Sequence, residues 1–228
     1  MQDARSPDHY YGSVVDTYEA ERRDAPEWAV EQETVQGFTS RVATGASILD
    51  VPVGTGRFLP YYKGAACSVT GLDLSGDMLR RSAAVATQLS FPVRFLEGSA
   101  FRLPFPDAQF DHVISFRLLT WFDEPEFERA LRELSRVTRV SLLVSFNLRS
   151  HPSYICDPLA LPRYMKMLRS QHQRQRAGIV HPRLQKRAFV SSVLQRNGIH
   201  LISEHKLKIG RVFTYSAWEL APTRRGRS

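Results

Sequence analysis

The chain has 228 residues, with 31 Lys and Arg against 23 Asp and Glu for a formal charge of +8, and 43% hydrophobic and 24% charged residues. That length fits one large domain, or one domain with a modest insertion, and is enough for a substantial core. No run of eighteen apolar residues occurs, so no simple membrane-spanning helix is expected. Cys67 and Cys156 form no paired spacing of the zinc or redox kind, and the scattered histidines form no His-Glu-x-x-His pattern.

The segment before residue 27 is polar, holds the cluster Tyr10-Tyr11-Gly12 and lacks the apolar stretch of a secretory signal, so a cytoplasmic location is the expectation. Over 27–44, Trp28, Val30, Val35, Phe38 and Val42 recur at the spacing of one helix face. Residues 47–52 read as a buried strand, followed by a helix from near Gly56 through Phe58, Leu59, Tyr61 and Tyr62. Strands at about 67–73 and 92–96 flank a helix over 75–88 that Ser75 is placed to cap. A strand at 110–116 precedes a helix over 124–137, whose Phe127, Ala130, Leu131, Leu134 and Val137 share one face, and a fifth strand covers 139–146. This alternation predicts a mainly parallel sheet covered on both faces.

Four prolines punctuate 150–185, which reads as a partly helical insertion over one rim of the sheet, with a basic helix from Leu161 to Arg176. A helix at 185–197 ends at Asn197-Gly198, and strands at 200–209 and 212–220 make a closing antiparallel hairpin around Gly210-Arg211. The expected organisation is a covering segment at 1–26, a domain at 27–221 containing the insertion, and a basic tail at 222–228. The excess charge fits an anionic partner, nucleic acid included, and also an ordinary basic solvated surface.

The segment Ile48-Leu-Asp50-Val-Pro52-Val-Gly54-Thr55-Gly56 places an acid and two closely spaced glycines where a strand turns into a helix. Glycines permit a tight backbone path, and exposed amides at a helix start suit a cofactor's polar portion. Asp73 closes the next apolar run, where an acid can accept both hydroxyls of a ribose. The loop has no Lys-Ser/Thr pair of a phosphate-binding loop and no third glycine of the dinucleotide series, since Leu59 stands there.

On these residues, residues 40–148 resemble the class I S-adenosylmethionine-dependent methyltransferases, in a branch acting on small molecules. Pro52 replaces the first glycine of that family's loop, giving no amide donor and a restricted φ. Gly71-Leu-Asp73-Leu74-Ser-Gly-Asp-Met78 looks like the second motif, and Gly98-Ser99-Ala100 through Asp111 like the third and fourth. The resemblance implies a Rossmann-like α/β fold with a seven-stranded, mainly parallel sheet and a terminal antiparallel hairpin. It implies S-adenosyl-L-methionine as cofactor and S-adenosyl-L-homocysteine as product. Asp50, Gly54, Thr55 and Gly56 would belong to the cofactor-binding loop, Phe116 would lie where the cofactor's methionine portion meets the substrate, and Asp73 would bind the ribose. Leu74, Met78, Ser99 and Ala100 would meet the adenine. Tyr18 and Arg22 would approach from the covering segment.

Arg117, just after the fourth strand, either holds an acidic group of the substrate or pairs with Asp123 or Glu124. Trp121 and Phe122 either pack under the next helix or wall the substrate. His151 is the candidate base; Tyr154, Tyr164 and Met165 offer apolar walls, and Arg163 and Lys166 an anion contact. The acceptor expected is a small metabolite or modified sugar. The alternatives are an RNA- or protein-directed methyltransferase and a noncatalytic cofactor-binding protein.

Overall fold

The computed structural model describes residues 24–149, 182–209 and 213–223. The covering segment with Tyr18 and Arg22, His151 and nearly all of the insertion, the hairpin connection and the basic tail lie outside the described residues. In chain order the elements are α1 (Pro26–Thr39), β1 (Ser47–Asp50), α2 (Leu59–Gly64), β2 (Ser68–Asp73), α3 (Gly76–Gln88), β3 (Val93–Glu97) and β4 (Phe110–Ser115). A 3₁₀ turn (Leu119–Trp121), α4 (Glu124–Val137), β5 (Thr138–Arg149), α5 (Arg187–Arg196), β6 (Ile199–Ile209) and β7 (Phe213–Pro222) complete them.

The strands form one sheet in the order β3-β2-β1-β4-β5-β7-β6. The pairings from β3 to β5 are parallel, and β7 runs antiparallel to both β5 and β6. This is the Rossmann-like arrangement expected, with one further detail: β7 inserts between β5 and β6, so the later strand of the hairpin is the inner one.

Side chains alternate between two buried layers, as the pleat requires. Leu49, Val113, Leu142 and Val144 join Phe127, Leu131 and Leu134 of α4 and Val190 and Val193 of α5 on one face. Their neighbours Ile48, Ile114 and Leu143 join Val35 and Phe38 of α1 and Leu59 and Tyr62 of α2 on the other. α4 starts sharply because Asp123 accepts from the Glu126 N–H at 3.0 Å while Glu126 accepts from the Asp123 N–H at 3.2 Å, a reciprocal capping box.

Two helix limits differ from expectation. α1 stops at Thr39 instead of running to 44, since the Thr39 and Ser40 hydroxyls bond back to the Gln36 and Gly37 carbonyls at 3.0 Å each. α2 begins at Leu59 instead of near Gly56, because Gly54 and Gly56 take φ of +55° and +81°, outside the helical region.

Candidate active site

The strand order reverses between β1 and β4, and in open α/β sheets that is where a crevice opens beyond the carboxyl ends of the strands. A cavity of about 310 Å³ lies there, at the small end of the range for small-molecule sites. Gly54, Thr55, Asp73, Leu74, Met78, Ser99, Ala100, Phe116 and Arg117, all singled out from the sequence, line it together.

Asp73 is held with precision. One carboxylate oxygen accepts the Gly54 N–H and the other the Ser75 N–H, each at 2.9 Å, which joins the loop after β1 to the end of β2. Each oxygen keeps a further lone pair for a ligand hydroxyl. Burial pushes the Asp73 pKa up, and the backbone N–H groups oppose that shift. Leu74 is 47% exposed, a large apolar side chain presented to the cavity, whereas Met78 packs with only 3% exposed. The Ser99 hydroxyl already accepts the Phe101 N–H at 3.3 Å.

Asp50 and Gly56 are not among the lining residues. Asp50 is buried behind the wall, where one oxygen accepts from the Tyr62 hydroxyl at 2.9 Å and the other has no hydrogen-bond partner among the described residues. Burial pushes its pKa up to about 7. Gly56 serves packing: a Cβ there would stand 3.0 Å from both Leu59 Cδ1 and Ser82 Oγ, so the loop can lie on α3 only without a side chain. The Val51–Pro52 peptide bond is cis, and Pro52 lines the cavity.

Arg117 does not pair with Asp123 or Glu124 as weighed from the sequence. Asp123 is engaged in the cap of α4, and the Arg117 Nε–H instead reaches Glu31 Oε1 at 2.8 Å and Oε2 at 3.1 Å. Glu31, fully buried on α1, also accepts from Arg57 Nη2 at 2.5 Å and from the Tyr215 hydroxyl at 2.7 Å. Arg57, another lining residue, is stacked between the rings of Trp28 and Phe58 at 4.3 and 4.2 Å from their centroids. Trp121 and Phe122 are half-buried and line the cavity, and Phe122 lies 4.6 Å from the ring centroid of Phe101. Packing and wall are therefore one role for Phe122, which also rests on the core. Arg183, near the end of the insertion, lines the cavity too, with its N–H on the Thr120 carbonyl at 2.6 Å.

Glu31, Arg57, Arg183 and Tyr215 are the site residues that sequence reasoning missed. For Glu31 a signal exists: it occupies the stripe Trp28, Glu31, Val35, Phe38, a charge at a core-facing spacing. Such a residue needs buried partners. Tyr215 offers no comparable signal.

Residues 48–141 match the family model of a methyltransferase domain. Malonyl-[acyl-carrier protein] O-methyltransferase of Pectobacterium atrosepticum is 38% identical over 103 residues, covering 45% of this chain and 38% of that protein. The chain spans less than half the length of the curated relatives it matches first. Among solved structures, magnesium protoporphyrin IX methyltransferase from Synechocystis PCC 6803 with bound S-adenosylhomocysteine aligns with a TM-score of 0.72 at 15% identity, over 95% of this chain and 97% of that one. The [4+2]-cyclase SpnF aligns with a TM-score of 0.63 at 17% identity, over 84% and 81%; one fold thus serves different reactions. By its sheet order and its Gly54–Asp73 loop the chain has the Rossmann-like fold of the class I methyltransferases, and its residues 48–141 are similar to a methyltransferase domain.

Proposed function

We propose that the protein transfers the methyl group of S-adenosylmethionine to a small metabolite bearing an acidic group, releasing S-adenosylhomocysteine. The observation that carries this reading is Asp73, whose two oxygens are fixed by the Gly54 and Ser75 N–H groups in the wall of a cavity beside the switch point. The residues present fit the cofactor: a carboxylate with lone pairs left for a vicinal diol, and Leu74 and Met78 as an apolar surface for a base. When bound, the cofactor supplies an electrophilic methyl carbon on its sulfonium.

The chain's own part is positioning. Asp73 orients the ribose, Thr55 and Phe116 border the amino-acid portion, and the ring pair Phe101–Phe122 with Trp121 shields the reaction from water and supports an apolar body. Arg57, Arg117 and Arg183 on the wall favour an acidic acceptor. Among the described residues no histidine lines the cavity, and alignment of acceptor and methyl carries the rate enhancement. His151, which lies outside the described residues, is the base for an acceptor that must lose a proton. The covering segment 1–26 closes the cofactor side and the insertion 150–185 shapes the acceptor side; the placement of Arg183 at the end of that insertion supports this division. The protein acts in the cytoplasm in this reading; among the described residues no helix is long and apolar enough to cross a membrane. The net charge of +8 favours RNA as the second acceptor class.

Calorimetry with S-adenosylmethionine and S-adenosylhomocysteine tests the cofactor. Binding by the wild type, weakened by roughly 10-fold or more in a folded Asp73→Ala variant, is expected for a charge-assisted contact. No binding at millimolar cofactor by well-folded protein overturns the reading. Transfer of label from tritiated S-adenosylmethionine to metabolite, RNA and protein fractions of a cell extract then separates the acceptor classes.

A further inference from the structure

Arg117 lines the cavity with φ of +60°, in the left-handed region that a side-chain-bearing residue other than Asn or Asp seldom occupies. Such a conformation persists only where the surroundings over-determine it, and here they do. The Arg117 N–H donates to Ser145 Oγ at 2.8 Å, and its Nε–H donates to Glu31. Ser145 Oγ lies 2.8 Å from the Tyr215 hydroxyl, and that hydroxyl lies 2.7 Å from Glu31 Oε1. The contacts close a ring through Arg117, Ser145, Tyr215 and Glu31.

The direction of the ring follows from its members. Burial holds the Tyr215 phenol well above its ordinary range, so it keeps its single hydrogen and gives it to the Glu31 carboxylate. Ser145 must then donate to Tyr215 while it accepts from the Arg117 backbone. Both arms, one from the Arg117 backbone and one from its side chain, end on the same carboxylate. Hydrogen bonds aligned in one sense polarise and strengthen each other.

The three holders share one further property. Glu31 on α1, Ser145 on β5 and Tyr215 on β7 all lie outside the matched segment 48–141, whereas Arg117 lies inside it. Parts of the chain beyond that segment thus fix how one of its residues faces the pocket.

We infer that Glu31, Ser145 and Tyr215 are positioning residues that set the Arg117 guanidinium against an acidic methyl acceptor, so that this ring determines acceptor specificity. The inference rests on the methyl-transfer reading above. Tyr215→Phe is the informative variant, since it deletes one hydroxyl and keeps the buried ring, and Ser145→Ala opens the same arm at its other end. Glu31→Gln is the less useful choice, because it leaves two half-buried guanidinium groups without a carboxylate.

Protein labelled with nitrogen-15 arginine, with the Arg117 Nε–H signal assigned through Arg117→Lys, reports the ring directly. The wild type is expected to give a sharp, slowly exchanging signal that shifts or broadens in Tyr215→Phe and Ser145→Ala. Transfer from tritiated S-adenosylmethionine to the metabolite extract falls by roughly 10-fold in Tyr215→Phe, while affinity for S-adenosylhomocysteine changes by less than about 2-fold. In an Arg117→Lys background the Tyr215→Phe change has no further effect on transfer, as expected for a residue acting through Arg117.

An unaltered Arg117 signal in both variants overturns the proposal. So does unchanged transfer despite an altered signal, or a parallel loss of S-adenosylhomocysteine affinity in folded Tyr215→Phe. If the wild type itself fails to bind S-adenosylhomocysteine, the methyltransferase reading falls and the specificity role with it, while the Arg117 signal still decides whether the ring holds the guanidinium.

Discussion

At the scale of single residues, Asp50 and Asp73, both expected at the cofactor, take different places in the structure. Both are acids that end a strand, yet Asp73 reaches the cavity and Asp50 stands behind its wall. The consequence for Asp50 is a dependence of stability on pH. Its carboxyl keeps its proton in the folded protein up to about pH 7 and loses it near the ordinary value of 3.8 in the unfolded chain. The folded state therefore binds the extra proton between those values. Asp50 contributes its full stabilisation below pH 3.8 and loses it as pH rises through about 7. Asp50→Asn keeps an acceptor for Tyr62 and does not titrate. Urea unfolding is expected to show the wild type losing up to about 4 kcal/mol relative to Asp50→Asn across that window. A difference that stays constant with pH would count against the burial argument.

At the scale of elements, helix ends carry a testable strain. α2 and α3 both close with the same pair of backbone bonds around a residue of positive φ, and α5 has one of the two, from the Gly198 N–H to the Gln195 carbonyl at 3.2 Å. In α2, Cys67 N–H reaches the Tyr62 carbonyl at 3.1 Å and Ala66 N–H reaches Lys63 at 2.9 Å, with Ala66 at φ of +52°. In α3, Phe91 N–H reaches Ala86 at 3.0 Å and Ser90 N–H reaches Thr87 at 2.9 Å, with Ser90 at φ of +49°. α5 has the residue such a turn favours, Gly198 at φ of +61°. Ala66→Gly and Ser90→Gly should each stabilise the protein by about 0.5–1 kcal/mol in chemical unfolding, because a Cβ no longer crowds the left-handed turn. Destabilisation by either change would show that greater freedom of glycine in the unfolded chain outweighs relief of the turn. The sequence announces Gly198 as a helix stop, but nothing local marks Ala66 or Ser90 as left-handed.

At the scale of the whole molecule, one sheet serves both core layers, so α1, the glycine loop and the terminal hairpin should melt in one transition. S-adenosylhomocysteine at about a hundred times its dissociation constant should add about 2.7 kcal/mol. That corresponds to roughly 5–10 °C in calorimetry for a chain of this size, and Asp73→Ala should abolish most of it. A separate transition for the hairpin would contradict the shared core. The alternation of strands and helices, the Gly54–Gly56 loop and the acid at Asp73 were legible in the sequence. Hydrophobic period and turn chemistry act over a few residues, so the chain displays them locally. The ion pair of Arg117 with the buried Glu31 was not, because Glu31 lies 86 residues away. Nor was the bond from Tyr215 to Glu31, which spans 184 residues. The sequence alone thus determined a mainly parallel, Rossmann-like sheet and the place of its glycine loop. Only the tertiary structure decided that β7 lies inside β6, that the Gly54 amide is held by Asp73, and that one buried carboxylate gathers Arg57, Arg117 and Tyr215. Packing of the complete sheet against α1 excludes water from Glu31, and a buried charge must then find whichever donors the fold brings within reach.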